Sequence, residues 1–139
     1  MKLFLFYIGR AKDEHANALA REFIRRSTRY MAVEMREIDP RRYDLFARHS
    51  TARKVFLDPL GEQWNSARFA QVVRQAEFDA QDLVFLIGGH AGLDPGWRSR
   101  ADSLVSLTPL TLPHEFARVI LAEQIYRALT TLRGHPYPR

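Results

Sequence analysis

Short apolar runs alternate along this chain with longer segments in which apolar residues recur every three or four positions. The runs cover residues 2–8, 33–38, 54–58, 83–87 and 103–107, and their length is typical of β-strands. The fourth run, LVFLI, contains no polar residue, as expected of a strand that is covered on both faces of a sheet. The pattern therefore predicts about five strands in a mostly parallel sheet.

Segments with helical periodicity lie between these runs. The first covers residues 13–30 with Asp13 as N-cap, and the second follows a cap at Asn65 or Ser66 and reaches about residue 78. A third begins at Pro113, which suits the first turn of a helix, and ends near residue 132. The pattern also predicts a turn at residues 59–61, and a loop or short helix at 41–53.

The alternation of strands and helices predicts an α/β fold. With 139 residues, 46% of them hydrophobic, the chain is long enough for one core of ordinary size, so we expect a single domain spanning residues 1–139. No apolar run approaches the length of a membrane span, and the first ten residues do not resemble a signal peptide. We therefore expect a cytoplasmic protein with no membrane span.

The composition narrows the possible chemistry. Because the chain has no cysteine, disulfides, thiolate metal sites and a cysteine nucleophile are excluded. No clustered His, Asp and Glu spacing suggests a metal site. Its 21 Lys and Arg against 16 Asp and Glu give a net charge of +5 and a pI near 10.0. This charge favours polyanionic partners, with RNA, DNA and acidic lipid all open at this point.

Two groups of arginines are candidates for phosphate contacts. They are Arg21, Arg25 and Arg29 with Arg26, and Arg41, Arg42 and Arg48. The first three residues lie four positions apart, so they share one face of the predicted helix. A solvated helix face is an equally good interpretation of such a stripe.

A glycine turn follows the fourth predicted strand in FLIGGHAGLDPGW, residues 85–97. In open α/β sheets the ligand crevice lies beyond the carboxyl ends of the strands, where Gly88 and Gly89 are expected. The spacing matches neither G-x-G-x-x-G nor a phosphate-binding P-loop. The alternative is a tight turn that needs glycine for a positive φ.

A second loop, SLTPLTLPH at residues 106–114, also leaves a strand end and combines Leu, Ser and Thr around Pro109. Aliphatic side chains here can enclose an adenine or a thioether while backbone groups bind its polar edge. An apolar loop packed into the core is the alternative.

Three segments resemble the bacterial 23S rRNA pseudouridine N3-methyltransferases, a family of the SPOUT superfamily. They are VFLIGGHAGL at 84–93, SLVSLTPLTLPHEFARVILAEQIYRA at 103–128 and GHPYPR at 134–139. The likeness continues in order through the opening strand, KVFLD at 54–58 and WNSARFA at 64–70. It implies a C-terminal deep trefoil knot, which is a rare exception among folds. It also implies a homodimer that binds S-adenosylmethionine and 23S rRNA, with RNA contacts from both subunits.

The resemblance also assigns cofactor residues. By position they are Leu57, Gly88, Leu107, Thr108, Pro109, Leu110, Thr111 and Leu112. Gly89 and Gly92 would shape the turn beside the methionine and ribose portion of the cofactor. Metals play no part in this assignment.

Methyl transfer to a ring nitrogen requires an aligned nucleophile and removal of the N3 proton. By resemblance the catalytic candidates are His135, Tyr137 and Arg118. We call residues 134–139 the tail, and a frayed terminus is the alternative interpretation of it. Pro138 stands where the family has a second histidine, which makes His135 the better candidate base. The family pattern adds RNA contacts at His114, Arg127 and Arg139 to those expected at Arg21, Arg25 and Arg29.

Four further expectations concern the last helix and the middle of the chain. For Arg118, a surface ion pair with Glu115 is as good an interpretation as catalysis. The apolar band of the last helix is wider than one core-facing stripe requires, which suits a dimer interface, a helix buried inside the monomer, or both. Tyr126 and Arg127 fall outside this band, and the resemblance implies that they lie toward the substrate. His90 is not expected to be a ligand. Residues 40–54 form a shorter segment than the family's, so substrate docking there is the least secure inference.

Three function classes follow from these observations. The favoured one is an rRNA methyltransferase that acts on a pseudouridine of the large subunit, within an assembled ribosome. A non-catalytic RNA-binding or ribosome-associated factor with the same fold is the alternative. A dinucleotide-dependent oxidoreductase is disfavoured because its glycine fingerprint is missing.

Overall fold

A computed structural model describes residues 1–137. It contains the strands β1 (Lys2–Tyr7), β2 (Ala32–Glu37), β3 (Arg53–Gln63), β4 (Leu83–Ile87) and β5 (Ser103–Ser106). The helices are α1 (Glu14–Ser27), α2 (Leu45–Arg48), α3 (Ser66–Phe78), α4 (Pro95–Arg98) and α5 (His114–Leu132). The five predicted strands and three long helices are confirmed. The weakly patterned segment 41–53 contains the short helix α2, whereas α4 was not predicted.

The five strands form one sheet in the order β2-β1-β4-β3-β5, and every neighbouring pair is parallel. The prediction of a mostly parallel sheet is therefore confirmed. Because parallel strands end on the same side, the segments that follow all five strands meet at one margin of the sheet, which we call the carboxyl edge. No helix within residues 1–137 is both long and apolar enough to cross a membrane.

Helices cover both faces of the sheet. On one face, Leu3 and Leu5 of β1 belong to a core that includes buried residues of α1, α3 and α5. On the other, Phe4 and Phe6 pack in a second core with Leu45 and other residues around α2. Alternate residues of β1 thus enter different cores, as the period of two in a strand requires. All five residues of β4 are buried, which confirms that this strand is covered on both sides.

The turn predicted at residues 59–61 is wrong, because β3 continues to Gln63. Both Leu57 and Glu62 pair with Val105 of β5, so residues 58–61 form a bulge within the strand. Pairing with β5 resumes after the bulge and outweighs the local turn preference. At Gly61 a Cβ atom would lie 2.5 Å from the backbone of Leu104 and Val105. Only glycine fits this close approach of two strands.

Helix α1 is also shorter than predicted, ending at Ser27 rather than near residue 30. The Ser27 hydroxyl donates to the Phe23 carbonyl, and the Arg29 N–H bonds the Arg26 carbonyl in a tighter final turn. Leu19 belongs to the apolar residues that recur every three or four positions in α1, but it is 49% exposed. Part of the apolar side chain of Leu19 therefore lies on the solvent-facing side of α1.

Replacing Gly61 with Ala should lower the free energy of unfolding by about 1–3 kcal/mol, because the new methyl group collides with the backbone of β5. Urea denaturation measures the change. Leu60→Ala is the matched control, since Leu60 lies in the same bulge and is 86% exposed. Its effect should stay within about 0.5 kcal/mol. Equal stability of the two variants would contradict the close approach of β3 and β5.

Candidate functional site

The ends of β4, β3 and β5 lie side by side at the carboxyl edge. Phe56 pairs with Leu86, two residues before Gly88, and Leu57 pairs with Val105, two residues before Leu107. The structure therefore brings together the ends of the three segments to which the sequence assigns cofactor contacts. In an α/β sheet this is where a ligand crevice is expected.

The glycine turn is compact and closes on itself. Gly89 and Gly92 form an antiparallel bridge, and the Gly92 N–H donates to the Gly89 carbonyl at 2.9 Å. Gly92 has φ of +76°, so a positive φ is indeed required here. Gly88 is needed for a different reason, because a Cβ atom there would lie 3.1 Å from the Gly92 carbonyl carbon and 3.2 Å from a Leu93 methyl group. The turn at Gly88 has little room for any side chain.

The loop after β5 has a neutral, partly exposed surface. The Ser106 hydroxyl donates to the Thr108 carbonyl at 2.9 Å, and the Leu110 N–H donates to the Thr108 hydroxyl at 3.2 Å. Leu110 is 73% exposed, whereas Leu107 and Leu112 are half-buried. The loop is therefore not packed wholly into the core, and its exposed aliphatic surface is available to a ligand.

Arg118, in the second turn of α5, points into the protein. It is only 2% exposed, its Nη1 donates to Asn17 Oδ1, and its guanidinium carbon lies 3.5 Å from the Tyr7 ring centre. Burial lowers the pKa of Arg118, and its Nε has no hydrogen-bond partner among residues 1–137. The predicted ion pair with Glu115 is present, with Nη1 of Arg118 3.9 Å from a carboxylate oxygen of Glu115, but it is not a surface pair because Arg118 is buried.

Glu115 instead anchors the loop before α1. Its carboxylate accepts the Lys12 N–H at 2.5 Å and the Asp13 N–H at 3.0 Å. The hydrogen bonds from Asp13 and Lys12 hold the pKa of Glu115 below its ordinary value. Asp13 in turn caps α1 by accepting from the backbone of His15 and Ala16, which confirms the predicted cap. Glu115 thereby ties the start of α5 to the start of α1.

His114 and His90 meet at the carboxyl edge, with ring centres 4.7 Å apart and ring planes nearly perpendicular. His90 comes from the glycine turn and His114 from the first turn of α5. Burial, followed by the nearby His90 and Arg118, lowers the pKa of His114. His114 is therefore a neutral imidazole at neutral pH, with a nitrogen free of its proton. Sequence reasoning gave His90 no role, although its place in the glycine turn was the available signal.

The tail lies against the other half of α5. The Tyr137 hydroxyl donates to Glu123 at 2.7 Å, and its ring centre is 4.7 Å from that of Tyr126. Burial, together with the bond to Glu123, raises the pKa of Tyr137 to about 12. His135 is exposed, and its Nδ1 accepts the Tyr137 N–H at 3.1 Å. Tyr137 therefore keeps its proton at neutral pH.

Within one chain, Arg118 does not meet the two other predicted catalytic residues, His135 and Tyr137. Tyr126, which contacts Tyr137 of the tail, follows Arg118 by eight residues of helix, a rise of about 12 Å. Tyr126 itself is 7% exposed and packs near Phe23 and Tyr30. The prediction that Tyr126 faces a substrate is wrong, because this face of α5 packs against α1.

The predicted RNA-binding arginines differ in their surroundings. Arg21, Arg25 and Arg29 are exposed, but Glu22 accepts hydrogen bonds from both Arg25 and Arg26 and its pKa falls to about 2. Arg127 is paired with Glu123 at 2.7 Å. Arg139 and Pro138 lie outside the described residues. Within the described part of the chain, no three His, Asp or Glu side chains form a group that could hold a metal ion.

A family model described as "Predicted SPOUT methyltransferase" matches residues 1–138. The chain belongs to this SPOUT methyltransferase family. This SPOUT methyltransferase is 58% identical to the ribosomal RNA large subunit methyltransferase H of Solibacter usitatus over 139 residues, all of both chains. It is 37% identical to the protein of the same name from Nitrosospira multiformis over 155 aligned positions, covering 100% of this chain and 99% of the relative.

Solved structures support the fold. A probable methyltransferase from Bordetella pertussis Tohama I superposes with a TM-score of 0.58 at 12% identity, covering 91% of this chain and 95% of that one. A probable methylase family protein from Haemophilus influenzae Rd KW20 gives a TM-score of 0.61 at 8% identity, covering 99% and 70%. At such low identity these similarities show that the SPOUT methyltransferase shares their fold.

Removing the buried acceptor of Arg118 should destabilise the SPOUT methyltransferase. Asn17→Ala leaves that guanidinium with one bond fewer inside the protein, so the free energy of unfolding should fall by about 1–3 kcal/mol. Urea denaturation measures it, with Arg25→Ala as control, because Arg25 makes an exposed ion pair of little energetic value. A loss from Asn17→Ala no larger than that from Arg25→Ala would contradict the buried contact.

Proposed function

We propose that this protein is an S-adenosylmethionine-dependent methyltransferase that methylates N3 of a pseudouridine in large-subunit (23S) rRNA. The observation that carries the proposal is the meeting of three strand ends, the glycine turn and the neutral loop at one edge of the sheet. Membership of the SPOUT family and a full-length relative with 58% identity support it. We place the reaction on assembled ribosomes in the cytoplasm, in a protein made of one domain.

The residues at the carboxyl edge suit the proposed cofactor. Leu57, Gly88 and the loop at 107–112 offer backbone hydrogen-bonding groups and aliphatic side chains, with no charged side chain in the loop. A neutral adenine needs such surroundings. When bound, S-adenosylmethionine supplies a methyl group on a positively charged sulfur. The protein's part is to hold the target base in line and to exclude water.

The N3 proton needs an acceptor, and two imidazoles can provide one. His114 lies at the carboxyl edge, and its lowered pKa leaves it neutral at neutral pH. His135 is exposed, but it follows the C-terminal end of α5, whereas the glycine turn of the same chain lies near the first turn of that helix. Tyr137 is a poor base, since its pKa is raised to about 12 and its hydroxyl already donates to Glu123. In this proposal Tyr137 orients the tail through that bond.

A homodimer brings the tail into reach of the site. Phe116 on α5 is 53% exposed and Leu19 on α1 is 49% exposed, and both side chains are large and apolar. A second copy that covers these side chains can supply His135 and Tyr137 to the carboxyl edge of its neighbour. The C-terminal trefoil knot, which the family resemblance implies, is part of the same proposal.

Ribosomes that lack the modification should accept one labelled methyl group from S-adenosylmethionine in the presence of this protein. Mapping should place the label on N3 of a single pseudouridine of the large-subunit rRNA, because a single enclosed site positions one base. The measurement is scintillation counting followed by mass spectrometry of rRNA fragments. Label on several positions, or on small-subunit rRNA, would contradict the proposal.

Two variants and a titration extend this experiment. His114→Gln and His135→Gln each keep a polar side chain but remove the proton acceptor, so the variant that lacks the true base should lose at least about tenfold in kcat. A non-catalytic RNA-binding factor is the competing function. It predicts no uptake of S-adenosylmethionine in calorimetry and no label in any ribosome, even with the folded wild-type protein.

Gly88→Ala should abolish or strongly weaken S-adenosylmethionine binding, because the added Cβ presses on the backbone of Gly92 and displaces the turn. Gly89→Ala is the matched control from the same turn. Its Cβ would meet Ile8 at an ordinary 3.5 Å, so the turn itself should keep its shape. Calorimetry measures the binding, and sedimentation should show a dimer for both variants. Wild-type affinity in Gly88→Ala would overturn the cofactor assignment.

A further inference from the structure

A basic and aromatic groove lies beside the proposed active site. It has a volume of about 300 Å³ and is lined by Pro40, Arg41, Arg42, Tyr43, Asp44, Phe46, Trp97 and Arg100. We call it the Tyr43–Trp97 groove. Its volume falls at the lower end of the range for small-ligand sites, and it contains three arginines and three aromatic rings.

The groove shares the carboxyl edge with the glycine turn. Residues 38–44 follow the end of β2, and Trp97 belongs to α4, which begins three residues after Gly92. Arg98 of α4 donates to Asp58 at 2.6 Å, and Asp58 directly follows Leu57 at the start of the bulge in β3. The wall of the groove is therefore tied to the strand that we assign to the cofactor.

The charge of the groove is available to a ligand. The side chains of Arg41 and Arg42 are 88% and 89% exposed, and both share Asp39 as partner, at 3.4 and 4.0 Å. Asp39 is also engaged by the Arg41 N–H, which is the main cause of its lowered pKa. Asp44 also lines the groove, but its carboxylate is engaged as the cap of α2, where it accepts from the Ala47 N–H. The groove therefore presents exposed guanidinium groups to solvent, while the carboxylates near them are already engaged in hydrogen bonds.

The aromatic rings are held in place from behind. Trp97 packs edge-on against Phe46, with ring centres 5.1 Å apart, and Arg100 lies 3.8 Å from the Phe46 ring centre. Tyr43 shares a 2.6 Å hydrogen bond with His49. Rings fixed in this way lose little freedom when a planar base packs against them.

We propose that the Tyr43–Trp97 groove binds a single-stranded nucleotide that flanks the target base in the rRNA. Arg41 and Arg42 contact its phosphates, while Tyr43 and Trp97 pack against its base. Guanidinium groups together with aromatic rings form the combination that binds single-stranded nucleic acid without needing a fixed sequence. The groove then helps to set where along the rRNA the enzyme docks. This inference rests on the proposed function.

A second basic groove, lined by Arg53, Arg68, Arg74 and Phe78, is larger, at about 660 Å³. It runs along α3 and reaches Arg53 at the start of β3, away from the carboxyl edge. Its arginines therefore provide a matched control of equal charge at a different place.

The double variant Arg41→Ala/Arg42→Ala should raise KM for unmodified ribosomes about tenfold and leave kcat and the Kd for S-adenosylmethionine unchanged. Because each phosphate contact on a single strand contributes about 0.7 to the salt slope, losing two should reduce the slope of log KM against log salt by about 1.4. Arg68→Ala/Arg74→Ala should change neither quantity. Equal effects of the two double variants, or none from the first, would overturn the proposal.

A cross-linking experiment identifies the occupant directly. Arg42→p-benzoylphenylalanine places a photoreactive group at the exposed rim, and irradiation of its complex with ribosomes should cross-link rRNA within a few nucleotides of the methylated base. Cross-links only to a ribosomal protein, or to remote rRNA, would refute a flanking nucleotide in the groove. If the wild-type protein transfers no methyl group to ribosomes, the proposed function fails. Cross-linking is a separate readout, and it still shows whether the groove binds single-stranded large-subunit rRNA.

Discussion

The parallel pairing of β3 between β4 and β5 is the constraint on which the site depends. It aligns Leu57 with Val105 and Phe56 with Leu86, so three separate segments of sequence end at the same edge. The bulge at residues 58–61 lets β3 resume this pairing, and Gly61 permits the close approach. Loss of the pairing would separate the glycine turn from the neutral loop, and neither segment encloses a ligand alone.

Helix α5 connects this edge to the rest of the protein. Its first turns hold Glu115, which binds the loop before α1, and the buried Arg118, which bonds Asn17 and lies over Tyr7. These contacts position His114 beside His90, where burial keeps its imidazole neutral. The same helix holds the tail through Glu123, far from its own glycine turn. One helix thus orients His114 at the carboxyl edge with its first turn and holds the tail with its far half.

Charge is distributed less simply than the net value of +5 suggests. Arg25 and Arg26 share Glu22, Arg127 is paired with Glu123, and Arg133 is paired with Glu77. Such exposed pairs contribute little to stability, but they reduce the field that a polyanion meets. Arg41 and Arg42 keep most of their surface in solvent. The ion pairs of an arginine and its position relative to the carboxyl edge, rather than the number of arginines, therefore indicate which of them can contact a polyanion.

The sequence by itself determined the α/β class, five strands, three long helices and the segments around Gly88 and Leu107, because local periodicity and glycine placement encode these features. Only the tertiary structure decided that β3 passes through the predicted turn, that Arg118 and Tyr126 are buried, and that His90 meets His114. Each of these depends on contacts between residues far apart in the chain. Strand pairing and helix packing outweigh local preference there, and no short window of sequence records which partner will be present.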